Sequence, residues 1–185
     1  MKNNGFEYFL NAIHYCLWII DRISGKKIES AVDFLLSPIP KLFFTKKYKK
    51  KCEERLAKSQ DDYDRFLNDK ETGFHIAWAH HWFGLFYSCY PGFFSWILIG
   101  MVDGTIDVLN ELYFLLIFLF PIGICYIPAY KAVFTDDKYL KYFKKYEKED
   151  KIWHKKWKII TIIFCIGGII IEVAGIFCMT IIANI

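Results

Sequence analysis

No lysine or arginine occurs between Glu71 and Tyr130, and none follows Lys158. A soluble domain of 185 residues turns some face of nearly every helix or strand to water, so cation-free stretches this long exclude an ordinary soluble globule. There is no C-x-x-C, and the six cysteines (Cys16, Cys52, Cys89, Cys125, Cys165, Cys178) are widely scattered, which excludes a disulfide scaffold. The nucleotide-binding glycine loop, the H-E-x-x-H pair and the G-x-S-x-G elbow are also missing. No catalytic residue, metal or cofactor is therefore assigned, and the expectation is a protein that is not an enzyme. No strand pattern of useful length and no internal repeat is visible.

What the chain has instead is apolar side chains in blocks. Hydrophobic residues make up 55% of it and aromatic ones 19%, and they cluster. Trp82 to Met101 and Leu112 to Tyr130 carry no formal charge, and Ile159 to Ile182 is broken only by Glu172. Each run reaches the roughly 20 residues that cross a hydrocarbon layer of about 30 Å. The fold class predicted is an all-α integral membrane protein with three transmembrane helices, an N-terminal amphipathic interfacial helix and two charged cytoplasmic helical segments. Residues 1–72 form the first cytoplasmic and interfacial region, 73–130 a transmembrane hairpin, 131–158 a basic aromatic helix, and 159–185 the third span.

Orientation follows from the cations. Fourteen lie between Lys2 and Lys70 and ten between Lys131 and Lys158, while the link between the first two spans has only Asp103, Asp107 and Glu111. The positive-inside rule then puts the N-terminus in the cytoplasm and the C-terminus outside. Abundant Lys, Ile, Phe and Asn suggest an AT-rich bacterial genome, hence an inner or plasma membrane. Basic segments beside a bilayer are drawn to anionic headgroups. Nucleic acid is set aside as a partner, because the run Lys46-Lys47-Tyr48-Lys49-Lys50-Lys51 leads straight into Glu53 and Glu54.

The first apolar stretch, Phe6 to Ile20, ends in Asp21-Arg22 rather than a small-residue cleavage site, so a signal peptide is not expected. Phe6, Phe9, Leu10, Ile13, Leu17 and Ile20 share one helical stripe opposite Glu7, Asn11, Trp18 and Arg22, which predicts a helix lying in the interface plane or packed on the bundle. Ser37-Pro38-Ile39-Pro40 marks a corner. Charge pairs at i, i+4 predict an exposed helix between Thr45 and Lys70, closed by Gly73. Thr135-Asp136-Asp137 is expected to cap a lysine-rich helix whose Tyr139, Tyr142, Phe143 and Tyr146 line one side and await a partner surface. Trp78 and Trp82 anchor the first span, Trp153 and Trp157 the last.

Glu172 is the residue most pregnant with chemistry. It stands about 20 Å beyond Ile159 along a helix rising about 1.5 Å per residue, near or past the bilayer midplane. A carboxyl there costs about 2.5 kcal/mol or more, so it must face protein or water. Gly168 and Gly175 on the same face let another helix approach. No span supplies a cation, so the donors considered are Tyr87, Ser88, Tyr90, Ser95, Tyr113 and Tyr126, a second copy of the carboxyl, or a conducted ion.

His75, His80 and His81 are expected to meet headgroups where the first span enters, their spacing being wrong for ligands on one helix face. Asp103, Asp107 and Glu111 form an outer acidic mouth or cap the second span. Pro91-Gly92, Pro121 and Pro128 free backbone groups inside the spans. Together these features predict a homo-oligomeric pore or gate answering a cytoplasmic signal, of a toxin-like or defence type. The alternative is an adaptor holding a soluble cytoplasmic partner on the aromatic face. A weaker third reading is a metal enzyme built on the histidines.

Overall fold

A computed structural model describes residues 5–36, 62–103 and 111–184, with the side chains of residues 29, 31–36 and 103 left aside. The described residues are helical and contain no strand. The helices are α1 (Gly5–Leu36), α2 (Phe74–Asp103), α3 (Glu111–Val133), α4 (Lys138–Tyr146) and α5 (Lys151–Ala183), with a further helical stretch at 62–68. Three of them, α2, α3 and α5, are long and apolar enough to cross a membrane. Each of α2 and α5 starts ahead of its uncharged run, at Phe74 and Lys151. The chain divides into two compact units, one of residues 1–16 with 81–185 and one of 17–80.

The first unit holds the three candidate spans. α3 is the most exposed of them: its buried residues are Ala129, Ala132 and Val133, all at its C-terminal end, while Leu112, Leu116 and Phe120 stand open. An apolar surface of this extent suits lipid and not water.

At the end of α3 the chain reverses sharply. Thr135–Asp137 forms a single 3-10 turn, and Asp136 (φ 57°) and Asp137 (φ 51°) are both left-handed. Neither Phe134 before the turn nor Asp137 before α4 makes a side-chain cap, so the expected capping role of this stretch is replaced by a conformational one. Aspartate is among the few residues that tolerate the left-handed region. The working cap lies one helix later: Asp150 accepts from Trp153 N at 2.7 Å and opens α5.

The aromatic side of α4 is buried within the chain. Tyr139, Tyr142, Phe143 and Tyr146 are all buried, the last two completely, and residues 5–16 of α1 are part of what covers them. Tyr8 meets Tyr142 and Tyr146 edge-on, Tyr146 donates to Tyr8 O at 3.0 Å, and Tyr15 packs on Phe143. The partner surface anticipated for these four residues is thus the chain's own N-terminal helix.

That contact also corrects the picture of α1. Residues 10–18 are buried on every side, including Asn11 and Trp18 of the supposed polar stripe. Asn11 becomes admissible there because its Nδ2 donates to Glu7 O at 2.8 Å and to Ala132 O at 2.9 Å, the latter a carbonyl in the last turn of α3. Residues 5–16 of α1 pack against the bundle, one of the placements considered for this helix.

The second unit is built from residues 17–80. Asp69 closes the 62–68 helix: its carboxylate accepts from Glu71 N at 3.0 Å and Thr72 Oγ1 at 2.9 Å, which holds it below its ordinary range. Gly73 N then donates to Asp69 O at 3.1 Å. The Ser37–Pro40 corner and residues 45–61 of the charged helix lie outside the described residues.

Candidate functional site

The site is the contact between α2 and α5, two helices that run parallel. Their closest approaches lie at glycines. A Cβ on Gly168 would stand 3.1 Å from Phe86 O, and one on Gly175 would stand 2.9 Å from Trp96 Cδ1 and 3.1 Å from Phe93 Cα. From the other side, a Cβ on Gly100 would meet Met179 O at 2.9 Å, and one on Gly92 would collide with the carboxyl of Glu172. Only a missing side chain lets the backbones come this near.

Glu172 sits in this seam with its side chain turned toward α2. Trp96 Nε1 donates to Glu172 Oε1 at 2.8 Å. The second oxygen, Oε2, is buried against Gly92 and has no hydrogen-bond partner among the described residues. The arrangement is half-satisfied: an indole offers one N–H and no more. The donors considered from sequence are otherwise engaged or absent from the contact. Tyr90 donates to Phe164 O at 2.8 Å, Ser95 to Phe118 O at 2.7 Å, and Tyr87 to Cys125 O at 3.1 Å.

Those last two bonds reach α3 close to its prolines. Pro121 and Pro128 each remove an N–H and press on the preceding turn. The carbonyls left without a helical donor are those of Ile117 and Ile124, and the α2 hydroxyls bond the next ones along, Phe118 O and Cys125 O. α2 therefore turns its polar atoms toward both neighbours, as a spanning helix must where lipid offers no donor.

The remaining predicted residues are distributed elsewhere. His75 is not a headgroup histidine: it is buried, with Nδ1 2.7 Å from Asp21 Oδ2 within the second unit, and it fills the space left by Gly25. A carboxylate on α1, 54 residues earlier in the chain, could not be read as its partner from spacing on α2. His80 is half-buried, and His81 is exposed with its ring edge-on to Trp82. Asp103 ends α2 and Glu111 begins α3 in an exposed position, while Asp107 and the side chain of Asp103 lie outside the described residues. No group of three or more His, Cys, Asp or Glu able to hold a metal occurs among the described residues.

Beside the spans, residues 5–16 of α1, α4 and the first turns of α5 form an aromatic head. His14 is fully buried, ringed at 5.3–5.6 Å by Phe83, Phe134, Tyr139 and Phe143. Tyr146 stacks on Trp153 at 4.7 Å, and Trp153 Nε1 donates to Tyr8 Oη at 2.8 Å. Burial pushes the Cys16 thiol up to about 11, against the smaller opposing pull of Thr161 and Lys158, and it raises Tyr146 and Tyr142 as well, the latter with help from Glu7. Lys138 pairs with Glu7 at 3.2 Å across the same layer.

Trp96 and Tyr8 are the residues that sequence reasoning passed over, and Asn11 and Gly92 were singled out there without the contacts they make. One signal for Trp96 was present: a buried indole needs an acceptor, and Glu172 is the one carboxylate in the third span. Comparison with known families, with curated proteins and with solved structures finds no match to this chain.

Proposed function

We propose that the protein is a non-enzymatic membrane protein whose α2–α5 seam acts as a gate for protons or small cations, with Glu172 as the ion-binding group. The observation that carries this reading is the half-satisfied carboxyl: Oε1 on Trp96 and Oε2 buried in the Gly92 notch. A residue serving only to join helices gains little from being ionisable, since a neutral amide would accept the same indole bond without the cost of an acid in the membrane. What the carboxyl adds is a proton it can give up or a charge that can meet a passing cation. Three helices do not enclose a pore, so the conducting form is a homo-oligomer in which several such seams face a shared interior. A cytoplasmic signal would part α2 from α5, in the manner of a toxin-like or defence-type effector.

The alternative of an adaptor for a soluble protein has lost the surface on which it was based, because that aromatic face is covered from within. The experiment is flux across liposomes containing the purified protein. Glu172→Gln should keep the Trp96 bond and the helical fold yet reduce proton or cation flux by at least about tenfold, the scale of a lost charge-assisted contact. Equal flux from both proteins would remove the gate reading.

A further inference from the structure

We infer that the lysine half of α4, together with the first two turns of α5, is a binding face for anionic phospholipid headgroups, held in place by the burial of the opposite, aromatic half. This surface is separate from the α2–α5 seam, and the inference does not depend on gating.

α4 has two sides. Tyr139, Tyr142, Phe143 and Tyr146 point inward and are at most 6% exposed. Lys141, Lys144, Lys145 and Lys148 are exposed, and Lys151, Lys155 and Lys156 continue the series along the start of α5. Because the rings are locked against α1, α4 cannot rotate these lysines away. Lys138 pairs with Glu7 at 3.2 Å, and Lys145 lies over the Tyr8 ring at 5.4 Å. The exposed acids in this stretch are Glu147 and Asp150, and Asp150 is occupied in capping α5.

The level of this face relative to the membrane follows from α5. The helix is unbroken from Lys151 to Ala183 and becomes continuously apolar at Ile159. Lys155 is four residues earlier, about 6 Å along the axis at about 1.5 Å per residue, within the headgroup layer when the apolar run is in hydrocarbon. Trp153 and Trp157, half-buried at the same level, are residues that favour that layer. The stacking of Tyr146 on Trp153 ties the end of α4 to this depth. A lysine face fixed at the plane of phosphate groups fits anionic lipid, whereas nucleic acid would have to displace those headgroups to reach it.

The test uses the full-length protein in neutral detergent doped with equal amounts of phosphatidylglycerol and phosphatidylcholine, counting retained lipids by native mass spectrometry. The wild type should hold phosphatidylglycerol preferentially, and high salt should erase the preference. The triple variant Lys141→Gln, Lys144→Gln, Lys148→Gln, which spares the Lys138 and Lys145 contacts, should lower that preference by about tenfold or more. Should the variant fail to fold by circular dichroism, salt titration of the wild type decides. No preference in the wild type, a preference insensitive to salt, or one retained by a folded variant would overturn the inference. So would tighter binding of a short DNA duplex than of phosphatidylglycerol, lost in the variant.

Discussion

The aromatic head and the spanning bundle are parts of one unit, but their helices are held by opposite means. In the head, large rings do the burying: Phe143, Tyr146, Phe83 and Ile13 are fully enclosed, and most contacts are ring against ring. In the bundle, rings and branched chains face outward, as Phe120, Ile163 and Phe177 do, while glycines and hydrogen bonds occupy the contacts. The difference reflects the two surroundings. Beside water, enclosing apolar area is itself the driving force. Inside lipid an apolar side chain gains nothing by leaving the solvent, so close backbone approach and satisfied polar groups remain as the means of association.

The largest expected effect falls on the head. Phe143→Ala deletes a fully buried ring touching His14, Tyr15 and Tyr139, and a loss of about 3–5 kcal/mol is expected from burial of this kind. Denaturant unfolding in detergent, followed by tryptophan fluorescence, would measure it. A loss below about 1 kcal/mol would mean that the head is not a water-type core, and the contrast would fail.

Next comes the seam. Gly175→Leu forces a side chain into a place where even a Cβ stands 2.9 Å from Trp96, and overpacking of this sort costs about 1–3 kcal/mol. Gly123 on α3 is the internal control: a Cβ there meets nothing within 4 Å, so Gly123→Leu should leave thermal stability unchanged or slightly raised. Equal damage from both substitutions would show that glycine spacing at the α2–α5 contact is incidental.

These two contrasts also mark what was legible in the chain beforehand. The three spans were readable because lipid demands long uncharged runs, and Glu172 was readable as a contact residue because oil does not accept its charge. Trp96 was not, since the pairing of α2 with α5 depends on relative register, and the periodicity of one helix says nothing of its neighbour. Likewise the aromatic face of α4 announced that it needed cover without naming the cover. α1 looked like a surface helix because Asn11 counts as polar in any pattern. Its two bonds to backbone carbonyls, one of them on α3, make it an interior residue, and such long-range satisfaction leaves no trace in local sequence. Asp136 and Asp137 were misread for a related reason: aspartate serves both caps and left-handed turns, and composition alone does not separate the two uses.

A smaller effect should appear on alkaline titration of the head. Cys16 ionises near its ordinary 9.0 when unfolded and only at about 11 when folded, and Tyr142 and Tyr146 shift in the same direction. The folded state therefore binds these protons more tightly, so their contribution is complete below pH 9 and declines as the pH rises toward 11. Cys16→Ala, which removes one of the three groups, should move the alkaline midpoint upward by a fraction of a pH unit. An unchanged midpoint, read from Trp153 fluorescence in a variant lacking the other tryptophans, would mean that the thiol is not desolvated in the fold.

The smallest expected effects belong to the hydroxyl bonds from α2 to α3, and they test most directly how a bundle in lipid differs from a core in water. Ser95→Ala and Tyr87→Phe each delete one donor to a carbonyl three residues before a proline. Interhelical hydrogen bonds in membranes average about 0.6 kcal/mol, so either change alone should be barely measurable. The two bonds lie two turns apart on α2 yet support the same neighbour. If each merely joins helices, the double variant costs the sum of the singles. If the pair instead braces the two turns that the prolines kink in α3, losing both leaves two weakened turns in lipid, and the double variant should cost more than the sum by at least about 0.5 kcal/mol. Replacing Pro121 and Pro128 by Ala in that double variant then separates the accounts, because straightening the kinked turns should recover the excess loss only if the hydroxyls were bracing them.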